Sequence, residues 1–403
     1  MNILVLNCGS SSVKYKLIEI KSKKVLAEGG VEKIGLDGPF VKFKLADGSK
    51  KKLELEIKDH EGAIDAILEL LTGKEWGCIK SYDEIDAVGH RVVHGGEKFN
   101  KSVLINDEVI AKIKECYDIA PLHNPVNMAG INAITHIMPK VPQVAVFDTA
   151  FHQTMPAKAY LYALPYKYYT EEGIRRYGFH GTSHRYVSHR VCEFLGVNFN
   201  EQKIITCHIG NGASITAVDH GKSIDTSMGL TPTEGLMMGT RTGDIDPGAL
   251  VYLMKKHNMT AEQLQDLVNK ESGVLGITEM TSDMREIEDA GAAGNKRARL
   301  ALDMYENRIV KYIGAYIAEM NGVDIIVFTG GVGENQMGTR WNVCKQFGYI
   351  GLKIDEKFNS TLRSKEAVMS TPDSKVKVVM IPTDEEYMIA HDTEAIVEGR
   401  EVE

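Results

Sequence analysis

The sequence predicts a mixed α/β protein of two related domains, and three observations carry that expectation. The chain has 403 residues, more than a single hydrophobic core usually organises. Strand-like runs alternate with segments whose apolar residues fall at helical spacing. A pattern of strand, glycine-rich turn and returning strand stands near the start and again near the middle. The repeat reads as an internal duplication: two α/β domains facing each other, with the glycine turns lining a cleft.

The elements follow in order. Residues 3–7 form a strand, Cys8-Gly9-Ser10-Ser11-Ser12 a turn, and residues 13–20 the returning strand; residues 25–31 and 53–57 extend an antiparallel sheet. Ile64, Ile67, Leu68 and Leu71 mark one helix, and Val109, Ile110, Ile113, Cys116 and Tyr117 a second behind the cap Asn106. The second copy runs from strand 203–208 through the turn 209–214 into strand 215–218. A third glycine-rich turn, Thr329-Gly330-Gly331-Val332-Gly333-Glu334-Asn335, follows the apolar run 325–328, and residues 296–320 form a long helix. Thr383 as N-cap and Glu386 at N3 make a capping box for a final helix. The expected domains are 1–151 joined by 386–403, and 152–385.

Composition narrows the function. A net charge of -8 argues against a general nucleic-acid binder, which would need a basic stripe to neutralise phosphates, so any anionic ligand must be held by a few local arginines. No apolar run approaches the roughly 20 residues of a membrane span, and residues 1–7 read as a strand, not as a signal peptide. Six scattered cysteines with no Cys-x-x-Cys pair point to free thiols and a cytoplasmic location.

Turns rich in Gly, Ser and Asn bring backbone N–H groups close to a polyphosphate, and three of them follow strands here. The spacing fits neither a P-loop nor a dinucleotide fingerprint. Arg91 and Arg241 each stand beside glycines, where a guanidinium fork can reach carboxylate or phosphoryl oxygens. Asp148 ends the apolar run Val144-Ala145-Val146-Phe147, which places a carboxylate at a strand terminus. His180 and His184 have the His-x-x-x-His spacing, but Gly181 and Thr182 make a poor zinc helix and the usual adjacent Glu is missing.

Leu6-Asn7-Cys8-Gly9-Ser10-Ser11-Ser12-Val13-Lys14-Tyr15 resembles the opening signature of acetate kinases, and Gly89-His90-Arg91-Val92-Val93-His94-Gly95-Gly96 resembles their second. Val146 to His152, Tyr177 to His184, His208 to Ser214, Gly239 to Asp244, Asp283 to Arg285 and Gly330 to Asn335 continue the likeness in family order. Cys8 departs from it, standing where the family more often has Ala or Ser, a change expected to touch thiol reactivity more than function. The resemblance implies two duplicated actin-like (ribonuclease H-like) domains with an ATP cleft between them, most nucleotide contacts coming from the second. It also implies reversible phosphoryl transfer from ATP to acetate, giving acetyl phosphate and ADP, and a homodimer.

Residue by residue, the resemblance gives Arg91 the acetate carboxylate and acetyl phosphate, and gives His180 and Arg241 the transferring group. It makes Asp148 an active-site residue. Since acetate is already ionised near neutral pH, magnesium ligation or positioning suits Asp148 better than general base catalysis. Asn7 and Glu385 are the implied Mg2+ residues, with Mn2+ as a substitute. Val93, Leu122, Phe179 and Pro232 correspond to a pocket for the acetate methyl group; by sequence alone each reads as core. Ser10, Ser12, Lys14, His208, Ile209, Gly210, Asn211, Gly212, Asp283, Met284, Arg285, Gly331, Val332, Gly333, Glu334 and Asn335 are expected around the nucleotide. Two other readings stay open: a propionate or butyrate kinase on the same scaffold, and an actin-like ATP-dependent binding protein.

Overall fold

Strand β1 (Asn2–Gly9) is the centre of the first sheet. Its residues Ile3, Leu4, Val5 and Leu6 are at most 1% exposed, because both faces of the sheet are covered. Leu4, Leu6 and Cys8 pack in one cluster with Ile64, Ile67, Leu68 and Ile134, while Ile3 and Val5 meet Ile389 and Ala390 of the C-terminal helix on the other face. The other strands of this sheet are β2 (Ser12–Glu19), β3 (Lys24–Glu32), β4 (Phe40–Leu45), β5 (Lys50–Glu54), β6 (Ala87–Val92), β7 (Val103–Leu104) and β8 (Gln143–Phe147). Their order is β5-β4-β3-β2-β1-β6-β8-β7. Strands β1 to β5 form an antiparallel meander, β6 and β8 run parallel in the direction of β1, and β7 is antiparallel to β8.

The second sheet holds β9 (Lys203–Ile209), β10 (Ala213–Asp219), β11 (Lys222–Thr226), β12 (Ile325–Thr329), β13 (Ala367–Val368) and β14 (Lys377–Met380), in the order β11-β10-β9-β12-β14-β13. Here β9, β10 and β11 are antiparallel, β12 and β14 follow the direction of β9, and β13 is antiparallel to β14. Strand for strand this is the arrangement of β3-β2-β1-β6-β8-β7. The duplication read from two glycine turns is therefore one of topology: an antiparallel hairpin and a third strand, then two parallel strands on the other side of the first.

The computed structural model describes residues 1–402; Glu403, the end of the segment 386–403, lies outside the described residues. By internal contacts the chain forms two units, Met1–Gln153 with Asp384–Glu403, and Thr154–Thr383. Glu385 thus belongs with β1 to β8.

Three local readings are corrected. The expected strand 53–57 lies mostly outside the sheet, since β5 ends at Glu54, and β4 precedes it with Val41 and Phe43 buried and Lys42 and Lys44 exposed. The third glycine cluster is no turn but a short helix, Gly330–Asn335, entered through Gly330 at φ +78. The C-terminal helix, Glu385–Val397, is capped by Asp384, whose carboxylate accepts from the Tyr387 N–H at 3.0 Å. Asp384 takes the cap one residue later than Thr383 would. Thr383 instead meets Ser183 Oγ at 2.8 Å, and Glu386 pairs with Lys16 at 3.4 Å.

Candidate active site

In the first unit, Asn7, Arg91 and Asp148 come from the carboxyl ends of three neighbouring parallel strands. Leu6 of β1 is level with His90 of β6, Val92 of β6 is level with Phe147 of β8, and Asp148 follows directly. Carboxyl ends of parallel strands are where α/β sheets present functional groups. Asp148 is fully buried and accepts from Arg91 twice, from Nε at 3.1 Å and from Nη2 in a shorter contact. Arg91 Nη1 donates to Asn7 Oδ1 at 3.2 Å. Burial alone would favour the neutral guanidine, but Asp148, with Glu385 behind it, outweighs burial and holds Arg91 above its usual range.

Glu385 opens the C-terminal helix and feels the same charges. Burial first, then Asp148 and Glu386, push its carboxyl up to about 7, against the pull of Arg91 and Lys14. Both implied magnesium residues, Asn7 and Glu385, offer hard oxygen atoms. Among the described residues no cluster of three or more His, Cys, Asp or Glu side chains could hold a metal; magnesium, which keeps several waters, needs only one or two protein groups.

Two asparagines that the sequence reading passed over fix the backbone around Arg91. On the helix Asn124–Ile137, Asn127 accepts from Val93 N at 3.0 Å and donates to Cys8 O at 2.9 Å, tying the ends of β1 and β6 together. Asn124 accepts from His94 N at 3.1 Å and donates to His94 O at 2.9 Å. Two polar residues at i, i+3 on an otherwise buried helix face were the signal. Cys8 lies under the same helix: a Cβ at Gly130 would stand 2.5 Å from its sulfur. Burial pushes this thiol up to about 12, so it stays protonated and unreactive at neutral pH, contrary to the expected effect on reactivity.

Of the other first-unit candidates, Val93 is buried but Leu122 is 63% exposed, which corrects its reading as core. Ser10 and Lys14 are exposed and Ser12 is half-buried.

In the second unit, His180 sits at φ +56 just before the helix Gly181–Leu195. Its Nδ1 lies 2.9 Å from Ser214 Oγ, and its ring stacks on His208 with centroids 4.2 Å apart. A Cβ at Gly212 would lie 3.4 Å from Arg241 Nη1 and 3.8 Å from the His180 ring, so Gly212, Arg241 and His180 share one small space. Arg241 is half-buried; its Nη1 donates to Pro232 O at 3.3 Å and lies 3.8 Å from Met238 sulfur. No carboxylate pairs with it among the described residues, and burial lowers its pKa. Phe179, next to His180, is buried.

A cleft of about 680 Å³ in this unit collects the predicted nucleotide segments. Gly210, Asn211, Asp283, Met284, Arg285, Gly331, Val332 and Asn335 line it, with Gln336 and Arg363 as additions that no turn motif announced. Other members of those segments do structural work. Ile209 is fully buried in β9, His208 Nδ1 is 2.8 Å from Ser183 Oγ, and the Gly333 carbonyl accepts from buried Arg340 at 2.9 Å. Glu334 accepts from Gly330 N and from Ser364 Oγ, both at 3.0 Å. Asp283, besides lining the cleft, caps the helix Met284–Ala292 through the Arg285 N–H at 2.8 Å.

The paired guanidinium at the strand ends and the unpaired one beside a glycine turn are what an anionic substrate and a phosphoryl group require, and residues 2–391 match the model of the acetokinase family. The chain belongs to that family. It is 61% identical over 400 residues to an acetate kinase from Parabacteroides distasonis, covering 99% of this chain and all of the relative. The crystal structure of Porphyromonas gingivalis acetate kinase superposes with a TM-score of 0.96 at 58% identity, covering 98% of this chain and 99% of that one. A propionate kinase structure from Francisella tularensis gives 0.91 at 43% identity, with the same coverage of 98% and 99%. The acetokinase family thus accounts for the duplicated actin-like α/β topology and for the order of the motifs along the chain.

Proposed function

We propose that this chain is an acetate kinase: it transfers the terminal phosphoryl group of ATP to the carboxylate of acetate, reversibly and by direct in-line displacement. The observation that carries the reading is the pair of arginine environments. One guanidinium is oriented by a buried carboxylate at the strand ends, and the other is held without a counter-charge beside the Gly212 turn and His180.

Three of the five Arg91 N–H groups are engaged by Asp148 and Asn7, leaving two to meet a carboxylate. Asp148 therefore acts as the group that aims Arg91; with both oxygens on the guanidinium, and with acetate already ionised, there is no call for a general base. Phosphoryl transfer needs positioning and charge stabilisation rather than covalent chemistry. His180 and Arg241 are the donors for the equatorial oxygens as charge spreads over them. The cleft lined by Gly210, Asn211, Asp283 to Arg285, Gly331, Val332 and Asn335 takes ATP or ADP. Asn7 and Glu385 would hold magnesium, or manganese in its place, which neutralises charge on the phosphate oxygens.

Val93, Leu122, Phe179 and Pro232 remain the proposed methyl pocket. Such a pocket separates acetate from propionate by only about 1 to 3 kcal/mol, so some propionate turnover is expected. The six free cysteines suit a reducing cytoplasm, and a homodimer is the working assembly. No helix among the described residues is long and apolar enough to cross a membrane.

The likeness to the Francisella propionate kinase supports a second reading, with a longer acid as the preferred acceptor. Hydroxylamine trapping of acyl phosphate, with ATP, magnesium and acetate, propionate or butyrate, decides between them. The highest kcat/KM is expected with acetate. A higher value with a longer acid would move the assignment to the sibling activity, and ATP hydrolysis indifferent to any acid would end both.

A further inference from the structure

Behind His180 lies a chain of buried side chains that the transfer chemistry does not touch. Ser214 Oγ stands 2.9 Å from His180 Nδ1 and 2.7 Å from His184 Nε2, and His184 Nδ1 stands 2.7 Å from Thr206 Oγ1. Ser214, His184 and Thr206 are all 0% exposed, so water cannot repair a wrongly placed proton. Thr206 comes from β9, Ser214 from β10, and His184 from the first turn of the helix Gly181–Leu195.

We propose that this relay fixes His180 as a neutral imidazole with its proton on Nε2, and that Thr206, His184 and Ser214 are positioning residues for that donor. The direction follows from counting protons. A hydroxyl has one O–H to give, and His184 Nδ1 is the group that meets the Thr206 hydroxyl, at 2.7 Å. Were Nδ1 of His184 protonated, the Thr206 proton would be a buried donor with no acceptor, the costly case. Thr206 therefore donates to Nδ1, and His184 carries its proton on Nε2 and donates to Ser214. The one Ser214 proton then goes to His180 Nδ1, which must be bare, and the His180 proton sits on Nε2.

The same counting disfavours the doubly protonated ring, since an Nδ1–H on His180 would strand the Ser214 proton. The charged and titratable groups around His180 act in the same sense: His208 is stacked on it at 4.2 Å, His184 lies at 6.4 Å, and Arg241 shares the space at Gly212. A second positive charge there is unfavourable. The relay supplies a hydrogen-bond donor that needs no extra proton. This rests on the role given to His180 above, but the proton's position can be read without any turnover.

The test is the ring 15N spectrum of histidine-labelled protein at neutral pH, with the His180 signals identified by their loss in His180→Gln. Protonated Nε2 and bare Nδ1 are expected; an Nδ1–H tautomer or an imidazolium would overturn the relay. Thr206→Val, which removes the hydroxyl at nearly constant shape, should turn the His180 signals into a tautomer mixture. It should also lower kcat by about 10- to 100-fold, the scale for losing a group that orients a functional histidine, with KM for acetate and ATP unchanged. Thr206→Ser should restore both. A wild-type His180 spectrum in Thr206→Val sinks the proposal, and should that variant not fold, the wild-type and Thr206→Ser spectra still decide it. His180→Ala at wild-type turnover would remove the catalytic role of His180 while the spectrum judged the relay separately.

Discussion

Arg91 and Arg241 are the same side chain in two settings. Arg91 rests on a carboxylate that is 0% exposed and is held above its ordinary range by it. Arg241 has a carbonyl and a thioether for neighbours, and burial lowers its pKa. A guanidinium already paired is well oriented, but much of its charge is spent on its partner, which suits holding a substrate carboxylate in the ground state. An unpaired one keeps its charge for a group whose negative charge grows during the reaction, and only such differential interactions accelerate the chemical step.

The contrast predicts different costs of removal. Arg91→Ala leaves Asp148 buried without its cation, and breaking a buried pair from one side costs about 3 to 5 kcal/mol. Arg241→Ala removes a charge that nothing in the fold compensates, and its stability should match wild type or exceed it. Thermal unfolding of the two ligand-free variants checks this. Equal destabilisation by both would mean that the two settings do not differ as their neighbours suggest.

Turnover should reverse the ranking of the visible defect. Folded Arg241→Ala is expected to lose about 100- to 1000-fold in kcat, the scale for one preorganised donor, with KM for acetate little changed. Wild-type turnover would refute the role. Asp148→Asn keeps the shape beneath Arg91 and removes the charge that aims it. Its acetate KM should rise about tenfold, equivalent to about 1.4 kcal/mol, while its magnesium requirement stays closer to wild type. Parallel titrations of acetate and magnesium separate the two; a magnesium effect larger than the acetate effect would return Asp148 to the metal.

How much of this was legible beforehand depended on the range of the interaction. The β1–β2 and β9–β10 hairpins and the helix behind Asn106 were readable because apolar spacing and turn chemistry are local. The strand ends carrying Asn7, Arg91 and Asp148 were readable as motifs, but their union was not: Arg91 meets Asp148 across 57 residues and Asn7 across 84. Asn127 and Thr206 escaped notice, and Ser214 was read only as the end of a glycine turn, because each resembles an ordinary polar residue until its partners from other elements are known. Gly330 to Asn335 misled for the opposite reason, since glycine turns and a glycine-rich first helical turn share a composition. Leu122 shows that apolar character alone does not place a residue inside.

The smallest expected effect concerns the helix that carries Glu385 beside Arg91. Thr383 and Asp384 are both good cap residues, and the choice between them sets whether Glu385 is the first helical residue or the second. The structure uses Asp384, with Lys16 3.5 Å from its carboxylate. Asp384→Ala should cost about 1 kcal/mol of helix stability, seen as roughly fivefold faster hydrogen exchange at the Tyr387 amide, its present partner. Thr383→Ala should leave that amide unchanged, because the Thr383 hydroxyl is turned to Ser183. The reverse pattern would restore the cap that the sequence suggested and move Glu385 one position along the helix.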